Sequence, residues 1–269
     1  TTEIYTLSLH DALPIYTMAM KRSELVTYLD AYLEVASFEG IDRSMNSLVV
    51  GHLDREVHTV AFAVDACQAV FEGAIEAGAD LLVVHHGLFW GQPLAVCGPH
   101  YTRLKTLIEG NLDVYAAHLP LDAHSEVGNN ITIARKLGLQ DIQGFAEHKG
   151  RMLGFKGTLA DGRSAEWISA RLGFKNPLIL PFGDEVIHRV GIVSGGASSD
   201  VLAALSDDLD CFITGEFEHQ YYHDAAEGGI TVIAGGHYVT ETFGPLALME
   251  HIRETFSLNV VFVANPTGL

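Results

Sequence analysis

The chain is predicted to be an α/β protein with two interlinked α/β lobes, mixed sheets flanked by helices, and a site at strand ends between the lobes. Two observations carry that expectation. Short apolar runs alternate with stretches of helical period along most of the sequence, the pattern of sheets covered on both faces. Three of those runs also lead into imidazoles or carboxylates, the third across two glycines: Leu81-Leu82-Val83-Val84, Leu112-Asp113-Val114-Tyr115-Ala116-Ala117 and Ile230-Thr231-Val232-Ile233-Ala234. Open α/β sheets place their sites in the crevice beyond the carboxyl ends of the strands.

A first helix over 23–35 carries Leu25, Val26, Leu29, Tyr32 and Leu33 at helical spacing, with Ser23 as its N-cap. Strands follow at 47–50 and 58–64, with Asp54-Arg55-Glu56 turning between them. A helix over 66–76 is stopped by Gly78. The strand at 81–84 leads into His85-His86-Gly87. A helix over 103–109 and a strand at 112–117 lead into His118-Leu119-Pro120-Leu121-Asp122. Pro120 predicts a loop there rather than a helix. A helix over 127–137 then ends at Gly138.

A second series begins with a strand at 152–159, a helix over 164–171 and strands at 178–180 and 188–193. The small-residue loop Ser194-Gly195-Gly196-Ala197-Ser198-Ser199 precedes a helix over 200–205. That loop is a weak match to a phosphate cradle, since it lacks the lysine and the spacing of a P-loop. A strand at 211–214, a helix over 219–227 and a strand at 230–234 complete the series. A final helix over 242–255 and a strand at 260–263 are expected to return to the first sheet. The first lobe is therefore expected to comprise 20–125 with 237–269, and the second 126–236.

Residues 1–19 fall outside this plan. They have neither the basic start nor the continuous apolar centre of a signal peptide. Residues 4–15 read as a translated sequencing adapter, and Met20-Lys21-Arg22-Ser23-Glu24-Leu25 is the better start. The expectation is a non-native or disordered tail without function.

Composition narrows the functional classes. With 48% hydrophobic and 19% charged residues the chain reads as globular rather than disordered. No apolar run approaches the roughly 20 residues of a membrane-spanning helix, so no membrane partner is expected. The three cysteines, Cys67, Cys97 and Cys211, form no CxxC pair and no disulfide framework, which indicates a cytoplasmic protein. Thirty-four acidic residues against 16 basic ones give a formal charge of −18. Such a surface repels phosphate backbones and argues against nucleic-acid binding.

The candidate chemistry lies in four segments. His85 and His86 would point to opposite faces within a strand, but at its end, with Gly87 free to turn, they can splay toward two neighbouring ions. Asp122 is a hard oxygen ligand, or else the cap of the following helix. His118 is a ligand or a partner that orients one. His237 and Glu241, four residues apart where a helix begins, share one face and can grip one site, although an ordinary surface pair has the same spacing. Glu216 and His223, in and after Gly215-Glu216-Phe217-Glu218-His219, suit a supporting or proton-transfer role.

Taken together these segments resemble the Nif-three-like dinuclear metal-centre family, some of whose members are called GTP cyclohydrolase 1 type 2 homologues. The resemblance is carried by Asn46-Ser47-Leu48-Val49-Val50-Gly51, Val84-His85-His86-Gly87, His118-Leu119-Pro120-Leu121-Asp122-Ala123-His124 and Gly128-Asn129-Asn130. It continues through Thr214-Gly215-Glu216, Gly235-Gly236-His237, Thr240-Glu241-Thr242 and Asn265-Pro266. One departure is Asn46-Ser47, where the family often has Asn-Gly.

The resemblance implies the compact form of the family, assembled as a toroidal homohexamer with metal sites facing its interior. It implies that His85, Asp122 and Glu241 hold one divalent ion, while His86, His237 and the other oxygen of Glu241 hold a second. Imidazole and carboxylate ligands suit zinc, iron or manganese. The expected activity is that of a dinuclear metal-dependent hydrolase acting on a nucleotide or purine ring through a metal-activated hydroxide. His118, Glu216 or His223 would move protons. Phosphoester or amide hydrolysis would use the same centre, and the non-enzymatic alternative is a metal-binding assembly or interaction scaffold.

Overall fold

The computed structural model describes residues 19–52 and 54–269; apart from Ala19, the expected tail lies outside them. In chain order the first elements are β1 (Met20–Lys21), α1 (Arg22–Tyr32), β2 (Ser47–Val50), β3 (Glu56–Val57), β4 (Thr59–Asp65) and α2 (Gln68–Glu76). Next come β5 (Leu81–His86), α3 (Gly98–Glu109), β6 (Asp113–Ala116), α4 (Leu119–Ala123) and α5 (Asn129–Leu137). The chain continues through β7 (Gln140–His148), β8 (Arg151–Arg163), α6 (Ala165–Leu172), β9 (Leu178–Pro181), β10 (Ile187–Ile192) and α7 (Val201–Ser206). It closes with β11 (Cys211–Thr214), α8 (Tyr222–Gly228), β12 (Thr231–Ala234), α9 (His237–Thr240), α10 (Phe243–Phe256) and β13 (Asn259–Phe262).

Two mixed sheets organise these elements. A five-stranded sheet has the order β13-β4-β5-β6-β2, parallel except where β2 runs against β6. A six-stranded sheet has the order β7-β8-β10-β11-β12-β9, with β10, β11 and β12 parallel and the remaining pairings antiparallel. A small ribbon pairs β1 with β3.

The period-two alternation of strands explains why each sheet is covered on both faces. In the first sheet, Val60, Phe62, Leu81, Val83 and Tyr115 pack with Leu25 and Leu29 of α1 and Leu248 and Ile252 of α10. The residues between them, Ala61, Ala63, Leu82, Val84 and Val114, pack on the other face with Val70 and Phe71 of α2 and Leu107 of α3. The second sheet divides likewise. Val190, Ile192 and Ile213 meet α5 and α6, whereas Phe212 and Val232 meet α7 and α8. Burying one such aliphatic side chain contributes roughly 1.5–3 kcal/mol, so these strands are firmly held between their helix layers.

Several segments depart from expectation: Ser23 lies inside α1, whose N-cap is Lys21, β3 takes Glu56 out of the expected turn, and α3 begins at Gly98 rather than at 103. Residues 119–123 form the short helix α4, with Pro120 in its first turn. At that position the missing N–H has no intrahelical partner to lose, and the fixed φ suits the helix. Strand β7, in contrast, has no apolar run: most of its residues are exposed or half-exposed, and only Phe145 and Ala146 are buried. Pairing with β8, itself drawn out to Arg163, supplies the order that its side chains do not.

Candidate metal centre

The residues that end the apolar strands come together between the two sheets. Pairing of β5 runs through both histidines, with His86 opposite Asp65 of β4. His85 is fully buried, and its Nε2 stands 3.4 Å from Glu241 Oε1 and 3.6 Å from Asp122 Oδ1. His86 Nε2 and His237 Nε2 each stand 3.1 Å from Glu241 Oε2. Glu241, itself buried, thus turns a different oxygen to each set of imidazoles. Two donor groups result, His85 with Asp122 and Glu241, and His86 with His237 and Glu241; a third joins His85, His86 and His118.

Each imidazole is oriented through its other nitrogen. Nδ1–H of His85 donates to the Ala117 carbonyl (3.1 Å), that of His86 to Asp65 (2.8 Å), that of His237 to Glu216 (2.6 Å) and that of His118 to Asp42 (2.9 Å). This fixes the ring planes and leaves the Nε2 lone pairs for the centre, the arrangement common to metal-bound histidines. Asp122 Oδ1 accepts from Asn129 Nδ2 (2.9 Å) and Ser194 Oγ (3.2 Å). It does not cap α5, whose N-cap is Gly128.

The local charges fit a bound cation. His85 Nε2 and Glu241 Oε2 are buried without a hydrogen-bond partner, a costly condition for polar atoms unless something else satisfies them. The Glu241 carboxylate, 3.1 Å from its Nε2, outweighs burial and raises His237 to about 9. Burial lowers His86, but Asp65 and Glu241 overcome it and raise the ring to about 10. Burial alone would raise Glu241; the neighbouring imidazoles instead hold it well below the usual carboxylate range. The carboxylates therefore recruit positive charge into a buried space, and mixed nitrogen and oxygen donors match a divalent transition metal.

A cavity of about 600 Å³ opens beside this cluster, lined among others by His86, His237, Trp90 and His118. His118 thus faces open space. Glu216 is exposed, with its carboxylate on His237. His223 lies exposed on α8 against Tyr222, away from that cavity's lining. The sequence reading overlooked Asp65, although it ends the apolar run of β4 just as the histidines end theirs. It also overlooked Asp42, which sits in an irregular loop and had no periodic signal, and the helper role of the buried Asn129. The Ser194-Gly195-Gly196 loop is not a phosphate cradle in its first two N–H groups: Ser194 donates to Asn130 and Gly195 to Thr240.

The model of the family described as Duf34/NIF3 (NGG1p interacting factor 3) matches residues 20–267. The chain belongs to the Duf34/NIF3 family. Among Duf34/NIF3 relatives, the GTP cyclohydrolase 1 type 2 homolog of Deinococcus radiodurans is 44% identical over 251 residues, covering 92% of this chain and 94% of that protein. The GTP cyclohydrolase 1 type 2 homolog of Archaeoglobus fulgidus is 44% identical over 250 residues, covering 93% of this chain and all of the relative (100%). The crystal structure of TTHA1606 from Thermus thermophilus superposes with a TM-score of 0.86 at 42% identity, covering 93% of this chain and 100% of that one. The fold described above is therefore a Duf34/NIF3 fold. Among the described residues no helix is long and apolar enough to cross a membrane.

Proposed function

We propose that the protein is a hydrolase working with two divalent metal ions, and that its substrate is a nucleotide or purine ring, as in a cyclohydrolase. The observation that carries this reading is the convergence of three Nε2 atoms on the two oxygens of one buried carboxylate. His85, Asp122 and Glu241 would hold one ion, and His86, His237 and Glu241 the other. When bound, paired divalent ions lower the pKa of a water and polarise the group under attack.

The chain's own residues supply the rest. Asp65 and Glu216 hold the rings of His86 and His237 in place. Asp42 holds His118 with Nε2 directed away from that bond, so His118 is the group that takes or returns a proton at the cavity. Glu216 supports proton movement only through His237, and His223 is assigned no step. The relatives' name, GTP cyclohydrolase 1 type 2 homolog, favours the purine ring over other substrates. Cytoplasmic residence and a homohexamer complete the proposal, the latter checked by light scattering.

Protein purified without added metal should contain two equivalents of zinc, iron or manganese by elemental analysis. The metal-loaded protein should turn over a guanine nucleotide, and His86→Ala should abolish that turnover. Absence of metal-dependent turnover across nucleotides, phosphoesters and cyclic amides would instead assign the centre to a scaffold.

A further inference from the structure

The closing Asn265-Pro266 motif supplies no ligand to the centre described above, yet the segment it opens lies against it. β13 pairs with β4, and the chain beyond β13 continues to the Asp65 end of that strand, where Asn265 Nδ2 donates to Cys67 Sγ (3.3 Å). The Asn265 N–H donates to the Tyr238 hydroxyl (2.9 Å), and the Tyr238 N–H donates to the Leu269 carbonyl (3.3 Å). Tyr238 is buried and directly follows the candidate ligand His237. Residues 265–269 are thus tied at one point beyond β4 of the first sheet and at another beyond β12 of the second.

What they cover is the reverse side of two ligand rings. A cavity of about 270 Å³ is lined by Asp65, His86, Glu216 and His237, together with Thr267 and Leu269. His86 and His237 also line the 600 Å³ cavity, but only the smaller of these two spaces is lined by Asp65 and Glu216. The small cavity therefore adjoins the bonds by which Asp65 and Glu216 accept from the Nδ1–H groups of those rings. Water competes for such charge-assisted bonds, and a drier surrounding strengthens them. The Asp65 and Glu216 side chains are 29% and 49% exposed, so water already borders both bonds and any further uncovering acts on them directly.

We propose that residues 265–269 form a positioning clasp, fastened through Tyr238 and Cys67, that covers the outer side of the Asp65–His86 and Glu216–His237 pairs and so holds both rings in ligand geometry. Its effect on a bound metal rests on the dinuclear reading; its protection of the Nδ1–H groups does not.

Two variants loosen the clasp while leaving every candidate ligand and both carboxylates in place. One deletes residues 266–269, and the other is Tyr238→Phe, which removes only the hydroxyl that accepts from Asn265. In metal-free protein with nitrogen-15-labelled histidine, NMR follows exchange of the Nδ1–H protons with water. Loss of one hydrogen bond corresponds to roughly fivefold faster exchange at His86 and His237 in Tyr238→Phe. The deletion should accelerate it further, while His118, held by Asp42 at the other cavity, stays unchanged. Unaltered exchange at His86 and His237 in both variants overturns the proposal, as does equal acceleration at His118, which would report general loosening. With cobalt-loaded protein, release to a chelator should be ~10–100-fold faster after the deletion, the range for disturbed partners of metal ligands. In an Asp65→Asn, Glu216→Gln background the same deletion should add no more than about twofold, because the charged pairs it acts through are gone. A full further acceleration there would also overturn the clasp. If the intact chain binds no cobalt, the dinuclear reading falls and the exchange measurement still decides the clasp; cobalt binding with unaltered exchange in both variants keeps the centre and removes the clasp.

Discussion

Asp42 gathers the loop before β2 around the cavity. Its oxygens accept from His118 Nδ1, the Leu119 N–H, the Ser44 N–H and Asn46 Nδ2. Burial would raise its pKa, but bonding to His118 and these other donors holds it at about 2, against 3.8 for a free group. A carboxylate with a lowered folded pKa stabilises fully above its unfolded value and loses that contribution as the pH falls toward the folded one. Here the full contribution is on the order of 2 kcal/mol, present above about pH 4 and lost toward pH 2, with about half gone by pH 3. Denaturant titrations of metal-free protein should therefore show the wild type losing on the order of 1 kcal/mol more than Asp42→Asn between pH 5 and pH 3. Parallel losses would show that Asp42 carries no such linkage. At the first residue of β2, Ser47 has φ +83°, and its hydroxyl donates to Asp30 at 2.9 Å. Ser47→Ala and Ser47→Gly both delete that bond, but only alanine keeps a Cβ in the left-handed region. Glycine should be the more stable variant by about 1 kcal/mol in thermal or denaturant unfolding, and a more stable alanine would sink the argument.

At the scale of elements, the loop between β10 and α7 closes over the ligands. Gly195 has φ +67°, and a Cβ there would fall on Glu241 Oε1 and within 3.3 Å of His237 Nε2. Gly195→Ala is expected to weaken metal binding by ~10–100-fold, the range seen when the groups that orient metal ligands are disturbed. Chelator competition measures this, and unchanged affinity would mean the loop yields freely. This loop also shows what a sequence makes legible. Strand-end histidines and carboxylates stand out where apolar runs such as those of β5, β6 and β12 give way to polar residues, although Asp65 at the end of β4 passed without notice. Residues in irregular loops leave no such trace: Gly195 reads as part of a phosphate loop, and Asp42 lies where no periodic pattern marks it. Proline was read in α4 by its prohibition inside helices, whereas its place in the first turn removed that cost. Strand β7 escaped because its order comes from pairing with β8 rather than from its own pattern.

For the whole molecule, the candidate ligands make the two sheets depend on each other. His85 and His86 end β5 of the first sheet, while His237 and Glu241 follow β12 of the second. Beside them the buried Asn129 and Asn130 cross the same boundary. Asn129 links Asp122 to the Gly244 N–H of α10, and Asn130 links the Ser194 N–H to the carbonyls of Leu153 and Asp122. A cation held by both sets of ligands binds the folded arrangement and finds only scattered histidines in the unfolded chain, so metal should stabilise the molecule by mass action. At free metal ~100-fold above Kd the gain is about 2.7 kcal/mol per site, which for a chain of this size raises Tm by roughly 5–10 °C. Scanning calorimetry of chelated and zinc- or manganese-loaded protein tests this directly. The loaded protein should melt higher, and hydrogen exchange should show β5 and β12 gaining protection together, since neither the ligands that end β5 nor those that follow β12 can complete the site alone. A higher Tm with protection confined to β5 would place the cation on the first sheet only. No change in Tm at saturating metal would mean that the buried donors are satisfied without one.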